Sequence, residues 1–181
     1  MAPRIETARL ILRPWIDDDV EHWVAMGADP RVMEFFPRLA TEAEARSEVA
    51  WFTEGLTANG YGWWALEVRA NGAFAGAIEL QDVPIELPFA PAFEVGWRLS
   101  PDYWGRGYAT EGGRAALDFA FRELDRAEVV AITARLNLPS QAVMQRLGMT
   151  RSTADDFDHP RIAEGHPIRP HVLYRITRPE A

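Results

Sequence analysis

The 181-residue chain has no cysteine, which excludes a disulfide framework, a thiolate metal site and a cysteine nucleophile. No apolar run approaches the roughly 18–20 residues that span a bilayer. The N-terminus lacks the basic patch and apolar stretch of a signal peptide, so a soluble, cytoplasmic protein is expected. Basic residues are scattered rather than clustered: 19 stand among 27 acids, for a formal net charge of −8. Nucleic acid is held through clustered cations and is not expected as a partner. An acidic protein more readily attracts a cationic substrate such as an amine. Repeats, low-complexity tracts and linkers are also absent, and the length suits a single domain over residues 1–181.

What stands out is Asp102-Tyr103-Trp104-Gly105-Arg106-Gly107-Tyr108-Ala109-Thr110-Glu111, between a strand-like run and a helix-like run. Two glycines in three residues permit a tight turn that exposes successive N–H groups at the positive end of the following helix. Such a junction is an anion cradle, suited to a phosphate or pyrophosphate. No Gly-Lys-Ser/Thr follows, so it is not a P-loop, and a full GxGxxG is missing.

The rest of the chain can be read around that loop. Alternation over Thr7–Trp15, closed by Pro14, predicts an N-terminal strand. Asp17-Asp18-Asp19 are expected to cap a helix that carries Val20, Trp23 and Val24 and ends at Gly27. A second helix over Thr41–Leu56 opens on a capping box of Thr41 and Glu44, with Ala45, Val49, Phe52 and Leu56 as its apolar stripe. Strands over Gly62–Arg69 and Ala73–Gln81 flank the hairpin signal Asn71-Gly72. The proline-rich Val83–Pro91 reads as a loop before a strand over Ala92–Ser100. A helix over Ala109–Leu124 and a buried strand over Ala127–Leu136 then imply a crossover and a parallel strand pair. Arg151–Pro170 is polar and irregular, and a last strand covers His171–Thr177.

A second motif begins at Asn137. Asn137 can cap a helix, Pro139 suits its first turn, and Gly148 ends it. The two motifs together resemble the GNAT acetyltransferases. Trp104-Gly105-Arg106-Gly107-Tyr108-Ala109 matches their Gln/Arg-x-x-Gly-x-Gly/Ala loop, with Trp104 departing at the first position. Asn137-Leu138-Pro139-Ser140 matches Asn-x-x-Ser/Ala, and Gly148-Met149 stands where Gly-Phe is usual. The string Tyr-Trp-Gly-Arg-Gly-Tyr-Ala-Thr-Glu and the opening Thr-x-Arg-Leu are similar to the RimJ/RimL branch.

The resemblance implies an α/β (α+β) GNAT fold: a mixed, mostly antiparallel sheet, flanked by helices, whose central parallel strands splay apart. Acetyl-CoA would lie in the wedge as cosubstrate. Its pyrophosphate would sit on Trp104, Gly105, Arg106, Gly107, Tyr108, Ala109 and Thr110. Its pantetheine arm would run along Trp97 and Leu99, with Asn137 and Ser140 on the far side. The implied reaction is acetyl transfer to a primary amine, either a protein N-terminus or a small molecule, by direct attack on the thioester.

An ammonium near pKa 10 must first lose its proton, for which Glu94 is the first candidate base. Glu79 and Asp82 stand in reserve, Glu79 also as a substrate contact. The tyrosine that protonates the leaving thiolate in many relatives is replaced by Met144, which makes Ser140 the candidate acid. That missing tyrosine leaves open a non-catalytic acyl-CoA-binding module. Phe35 and Phe36 are candidate substrate contacts equally readable as core, and His159 is a further candidate substrate contact in the 151–170 segment, whose carboxylates could receive a cationic acceptor. That segment also leaves open a homodimer contact. The spacing of Asp155, Asp156, Asp158, His159 and His166 fits no zinc pattern, and no metal is expected.

Overall fold

The computed structural model describes residues 3–179. The chain runs β1 (Ile5–Glu6), β2 (Leu10–Arg13), α1 (Asp17–Ala28), α2 (Glu42–Asn59), β3 (Trp63–Val68), β4 (Ala73–Asp82) and β5 (Phe93–Leu99). It continues through α3 (Tyr108–Arg122), β6 (Glu128–Ala134), α4 (Leu138–Arg146), β7 (Thr150–Arg151), β8 (Phe157–Asp158) and β9 (Pro170–Thr177). These strands form one mixed sheet in the order β1-β2-β3-β4-β5-β6-β9-β7, with β8 also paired to β9. Every neighbouring pair is antiparallel except β5 and β6. That parallel pair is registered at one position only, Glu94 opposite Val130, and the strands part beyond it. The expected splayed sheet is therefore present.

Strand alternation sorts the side chains onto two faces. Leu10, Leu12, Trp64, Leu66, Ile78 and Leu80 pack with Ala116, Leu117, Ala120 and Phe121 of α3 in the main core. Trp15, Trp23, Phe52, Ala65, Phe74 and Ala77 form a second core beneath α1 and α2. The second turn of α3 can lie close to the sheet because Gly112 has no side chain; a Cβ there would sit 2.9 Å from Ile78.

Several local signals behave as their chemistry dictates. The Thr41 hydroxyl accepts from the Glu44 N–H while the Glu44 carboxylate accepts from the Thr41 N–H, closing the capping box. Gly72 adopts φ +69° in the hairpin, where an L side chain would be strained.

Three expectations are corrected. The aspartates do not occupy the N-cap of α1, which is Ile16. Instead Asp19 reaches back to accept from the Ile16 N–H, and its carboxylate is drawn to a buried Arg13 guanidinium. The N-terminal strand is shorter than Thr7–Trp15, because Thr7 bonds Leu10 and turns the chain into the β1–β2 hairpin. The 151–170 segment is less irregular than its composition suggests, since β8 lies within it and pairs with β9.

Candidate active site

The parted strands β5 and β6 open into a cleft of about 860 Å³. One end is the glycine junction. Gly105 and Gly107 sit at φ +70° and +77°, and Gly107 is the N-cap of α3. Among the described residues, the amides of residues 105–110 donate no hydrogen bond to backbone or side chain. Six successive bare N–H groups at a helix N-terminus are what an anionic diphosphate requires.

The junction is clamped from outside by the N-terminal strand. Glu111 accepts from the Thr7 hydroxyl at 2.6 Å, the Arg9 N–H at 2.9 Å and Arg9 Nε at 2.5 Å. Arg9 also donates to the Arg106 carbonyl at 3.0 Å. Burial opposes charge on Glu111, yet these hydrogen bonds hold its carboxyl below the ordinary glutamate range.

Across the wedge, Asn137 begins α4. Its side chain accepts from the Ser140 N–H at 3.2 Å and donates to the Thr133 hydroxyl at 2.9 Å, so it is fixed at both ends. Asn137 and Ser140 both line the cleft, as do Trp97, Leu99, Trp104, Gly105, Gly107, Tyr108, Ala109 and Thr110. Arg106 is not part of the lining; its guanidinium lies over the Tyr103 ring, 5.5 Å from the centroid. Met144 is buried and adds no proton donor.

The far end of the cleft is acidic. Register places Glu94 opposite Gln81 and Glu79 opposite Gly96, so both glutamates share one face of the β4–β5 ladder. Glu79 lies flat across the strand because Gly96 leaves room: a Cβ at residue 96 would fall 2.1 Å from Glu79 Oε1. Both glutamates are 6% exposed, and among the described residues Glu79 Oε2 has no hydrogen-bond partner.

Burial raises the Glu79 carboxyl well above the usual range, and the neighbouring Glu94 charge adds to the shift. Burial also pushes Glu94 up to about 7, against hydrogen bonds from Gln81 and the Ile132 backbone. Near neutral pH the pair thus offers one carboxyl kept protonated and one poised to exchange a proton. Phe35 and Phe36 line the same end.

Two other sequence candidates lie elsewhere. Asp82 accepts from the Tyr61 hydroxyl at 2.8 Å and is outside the cleft lining. His159 also stands outside it, packed against His171 with ring centroids 4.9 Å apart and planes tilted by 46°. Burial and the neighbouring His171 and Arg161 lower the His159 pKa to about 4, so the ring is neutral.

Sequence reasoning passed over two residues that do line the cleft, Arg98 and His171. His171 Nδ1 lies 3.0 Å from the Arg169 carbonyl, which only accepts, so Nδ1 carries the ring proton. Arg98 could have been found by counting: strand alternation from Glu94 passes through Gly96 to Arg98 on the same face. Among the described residues no group of three or more His, Asp or Glu converges to hold a metal ion.

The family described as an acetyltransferase (GNAT) domain matches residues 9–150. The FsC-acetyl coenzyme A-N(2)-transacetylase of Aspergillus fumigatus is 38% identical over 98% of this chain and 77% of its own length. Among solved structures, the GNAT-family acetyltransferase from Bacillus anthracis superposes with a TM-score of 0.80 at 25% identity, covering 97% of this chain and 98% of that one. The ribosomal-protein-S5-alanine acetyltransferase from Vibrio fischeri gives 0.71 at 16% identity, covering 97% and 96%, a likeness of fold alone. These findings support a transferase rather than a domain that only binds acyl-CoA. No helix among the described residues is long and apolar enough to cross a membrane.

Proposed function

The chain belongs to the GNAT acetyltransferase family and is an acetyl-CoA-dependent N-acetyltransferase, and we propose that its acceptor is a small primary amine that enters as a cation over Glu79 and Glu94. The observation that carries this reading is the pair of buried carboxyls on one sheet face, with no cation among the described residues hydrogen-bonded to either, beside the parted strands. A relative acting at an N(2) amine is in keeping with it.

In this reading the amides of residues 105–110 hold the diphosphate of acetyl-CoA, and Trp97, Leu99, Asn137 and Ser140 flank its arm. Glu94, ionised above about 7, accepts the proton of the bound ammonium. The freed amine nitrogen attacks the thioester carbonyl carbon, a C–N bond forms and the C–S bond breaks. Ser140 passes a proton to the departing thiolate and takes up in its place the second proton that the new amide nitrogen sheds, so the products are a neutral amide and free CoA thiol. Glu79 stays protonated and orients the amine. A thioester is already activated, so holding nitrogen and carbonyl in line supplies much of the acceleration.

The chain is read as one GNAT domain over 1–181, because the sheet continues past the matched residues into β8 and β9. The Trp104–Glu111 string favours the RimJ/RimL branch, and so does the Thr7–Arg9 opening that clamps Glu111.

Release of free CoA from acetyl-CoA over a panel of amines tests the assignment. Glu94→Gln is expected to lower kcat by roughly 100-fold or more while acetyl-CoA binding is kept. The wild-type rate should climb with pH through about 7, where Glu94 ionises, and the variant's residual rate should lose that climb. An unchanged pH profile in Glu94→Gln would remove Glu94 from the role of base.

A further inference from the structure

Along the face that carries Glu94 and Glu79, the next side chain is Arg98, registered opposite Ala77. Two residues along a strand advance roughly 6.6 Å, so Arg98 stands one step beyond the amine position. Its guanidinium is held between rings, 4.4 Å from the Phe36 centroid and 4.7 Å from that of Trp23. The nearest acid oxygen, Glu48 Oε2, is 3.6 Å away and already accepts from the Trp23 indole at 2.8 Å. Among the described residues Arg98 Nε is buried without a partner, and so is the indole N–H of Trp63, which lines the same end of the cleft. The Arg98 side chain is 13% exposed, and it is part of the cleft wall.

A guanidinium presents five N–H donors in a rigid fork, and burying it without acceptors is costly unless something else supplies them. The missing partner is an anion that arrives with the substrate, and a flat carboxylate matches the fork.

We propose that Arg98 binds a carboxylate of the acceptor, so that the substrate is a zwitterion: an amino acid, or a small amino-acid conjugate with its carboxylate close to the amine. This rests on the reading of Glu79 and Glu94 as the amine site. The ammonium faces the acid pair, the carboxylate faces the guanidinium one ladder step away, and Phe35 and Phe36 line the space beside them. Charge is then balanced at both ends. A simple alkylamine would leave the guanidinium with Glu48 at 3.6 Å and no hydrogen-bonded anion.

The test compares acetylation of each α-amino acid with that of its decarboxylated amine and of its methyl ester, using the purified enzyme and acetyl-CoA. The free carboxylate should raise kcat/KM by roughly 100-fold or more over both analogues. Arg98→Gln should bring that ratio down to about one through a higher KM, and Arg98→Lys should restore part of it, keeping the charge without the fork. Circular dichroism and melting temperature confirm that both variants are folded.

Equal turnover of amino acid and decarboxylated amine would overturn the proposal. So would an ester as good as the acid, or an Arg98→Gln variant that keeps the wild-type ratio. Glu94→Gln separates the two readings. It should lower kcat for every acceptor and leave the carboxylate preference in place. If Glu94→Gln stays active while Arg98→Gln loses the preference, the base assignment falls and the carboxylate site stands.

Discussion

Arg13 and Arg98 occupy the same cross-strand row. Arg13 pairs with Ala65, Ala65 with Ala77, and Ala77 with Arg98, so two alanines separate two buried arginines roughly 14 Å apart. Their surroundings differ completely. Arg13 donates to both oxygens of Asp19 at 2.6 and 2.9 Å, to Glu67 at 2.5 Å and to the Pro14 carbonyl at 3.1 Å. Those bonds, chiefly with Asp19, outweigh burial and raise its pKa above the usual arginine value. Arg98 makes no such bonds, and burial lowers its pKa. The first arginine has its anions built into the chain and joins β2 to α1. The second has one acid within ion-pair distance, Glu48 at 3.6 Å, and hydrogen-bonds to none, beside two glutamates that hydrogen-bond to no cation among the described residues. A saturated buried charge is scaffold, and an unsaturated one beside a cleft is waiting for a ligand.

The contrast is open to direct attack. The largest effect is expected on the scaffold side. Asp19→Ala strands the Arg13 charge and should cost about 3–5 kcal/mol of unfolding free energy in urea, while acetyl transfer at low temperature persists. A loss below about 1 kcal/mol would place the Arg13 network among the weak surface pairs and break the comparison.

On the ligand side the stability sign is reversed. Glu94 is held at about 7 in the folded chain against 4.5 in the unfolded one. The native state therefore keeps a proton that the unfolded state has lost, and stability falls as pH rises from about 4.5 to about 7. The full fall is about 3 kcal/mol for Glu94, with Glu79 acting in the same direction. Urea midpoints at pH 5, 6, 7 and 8 should drop for the wild type and drop less for Glu94→Gln. That variant should be the more stable protein at pH 8 and the poorer enzyme.

The smallest change is the sharpest probe of geometry. Gly96→Ala puts a methyl group 2.1 Å from Glu79 Oε1 and must move that carboxyl. A drop of roughly tenfold in kcat/KM is expected, with little change in melting temperature. Unchanged kinetics would mean that the position of Glu79 is immaterial.

Much of the frame was legible because its signals are local. Asn71-Gly72 turns the β3–β4 hairpin, Thr41 and Glu44 close a box three residues wide, and Asn137 caps α4 through Ser140. The glycine junction was equally legible, since Gly105 and Gly107 are needed where φ is positive. The long-range partners were not. Arg13 stands only six residues before Asp19, but no local pattern says that the two would pair in the core, so a cap was the natural reading, whereas the N-cap position of α1 falls to Ile16. His159 drew notice as a polar residue in a loop, whereas His171, hidden at the start of β9, is the histidine that reaches the cleft.

By itself the amino-acid sequence determined the kind and order of the longer strands and helices, the exposed amides of residues 105–110 and the parity that places Glu94, Gly96 and Arg98 on one face. Those properties depend on φ/ψ preference and on the two-residue period of a strand, which act over a few residues. The tertiary structure decided which of the buried charges are satisfied. Glu67 lies 54 residues from Arg13, and whether such a partner arrives depends on how the strands are ordered, not on any stretch of chain.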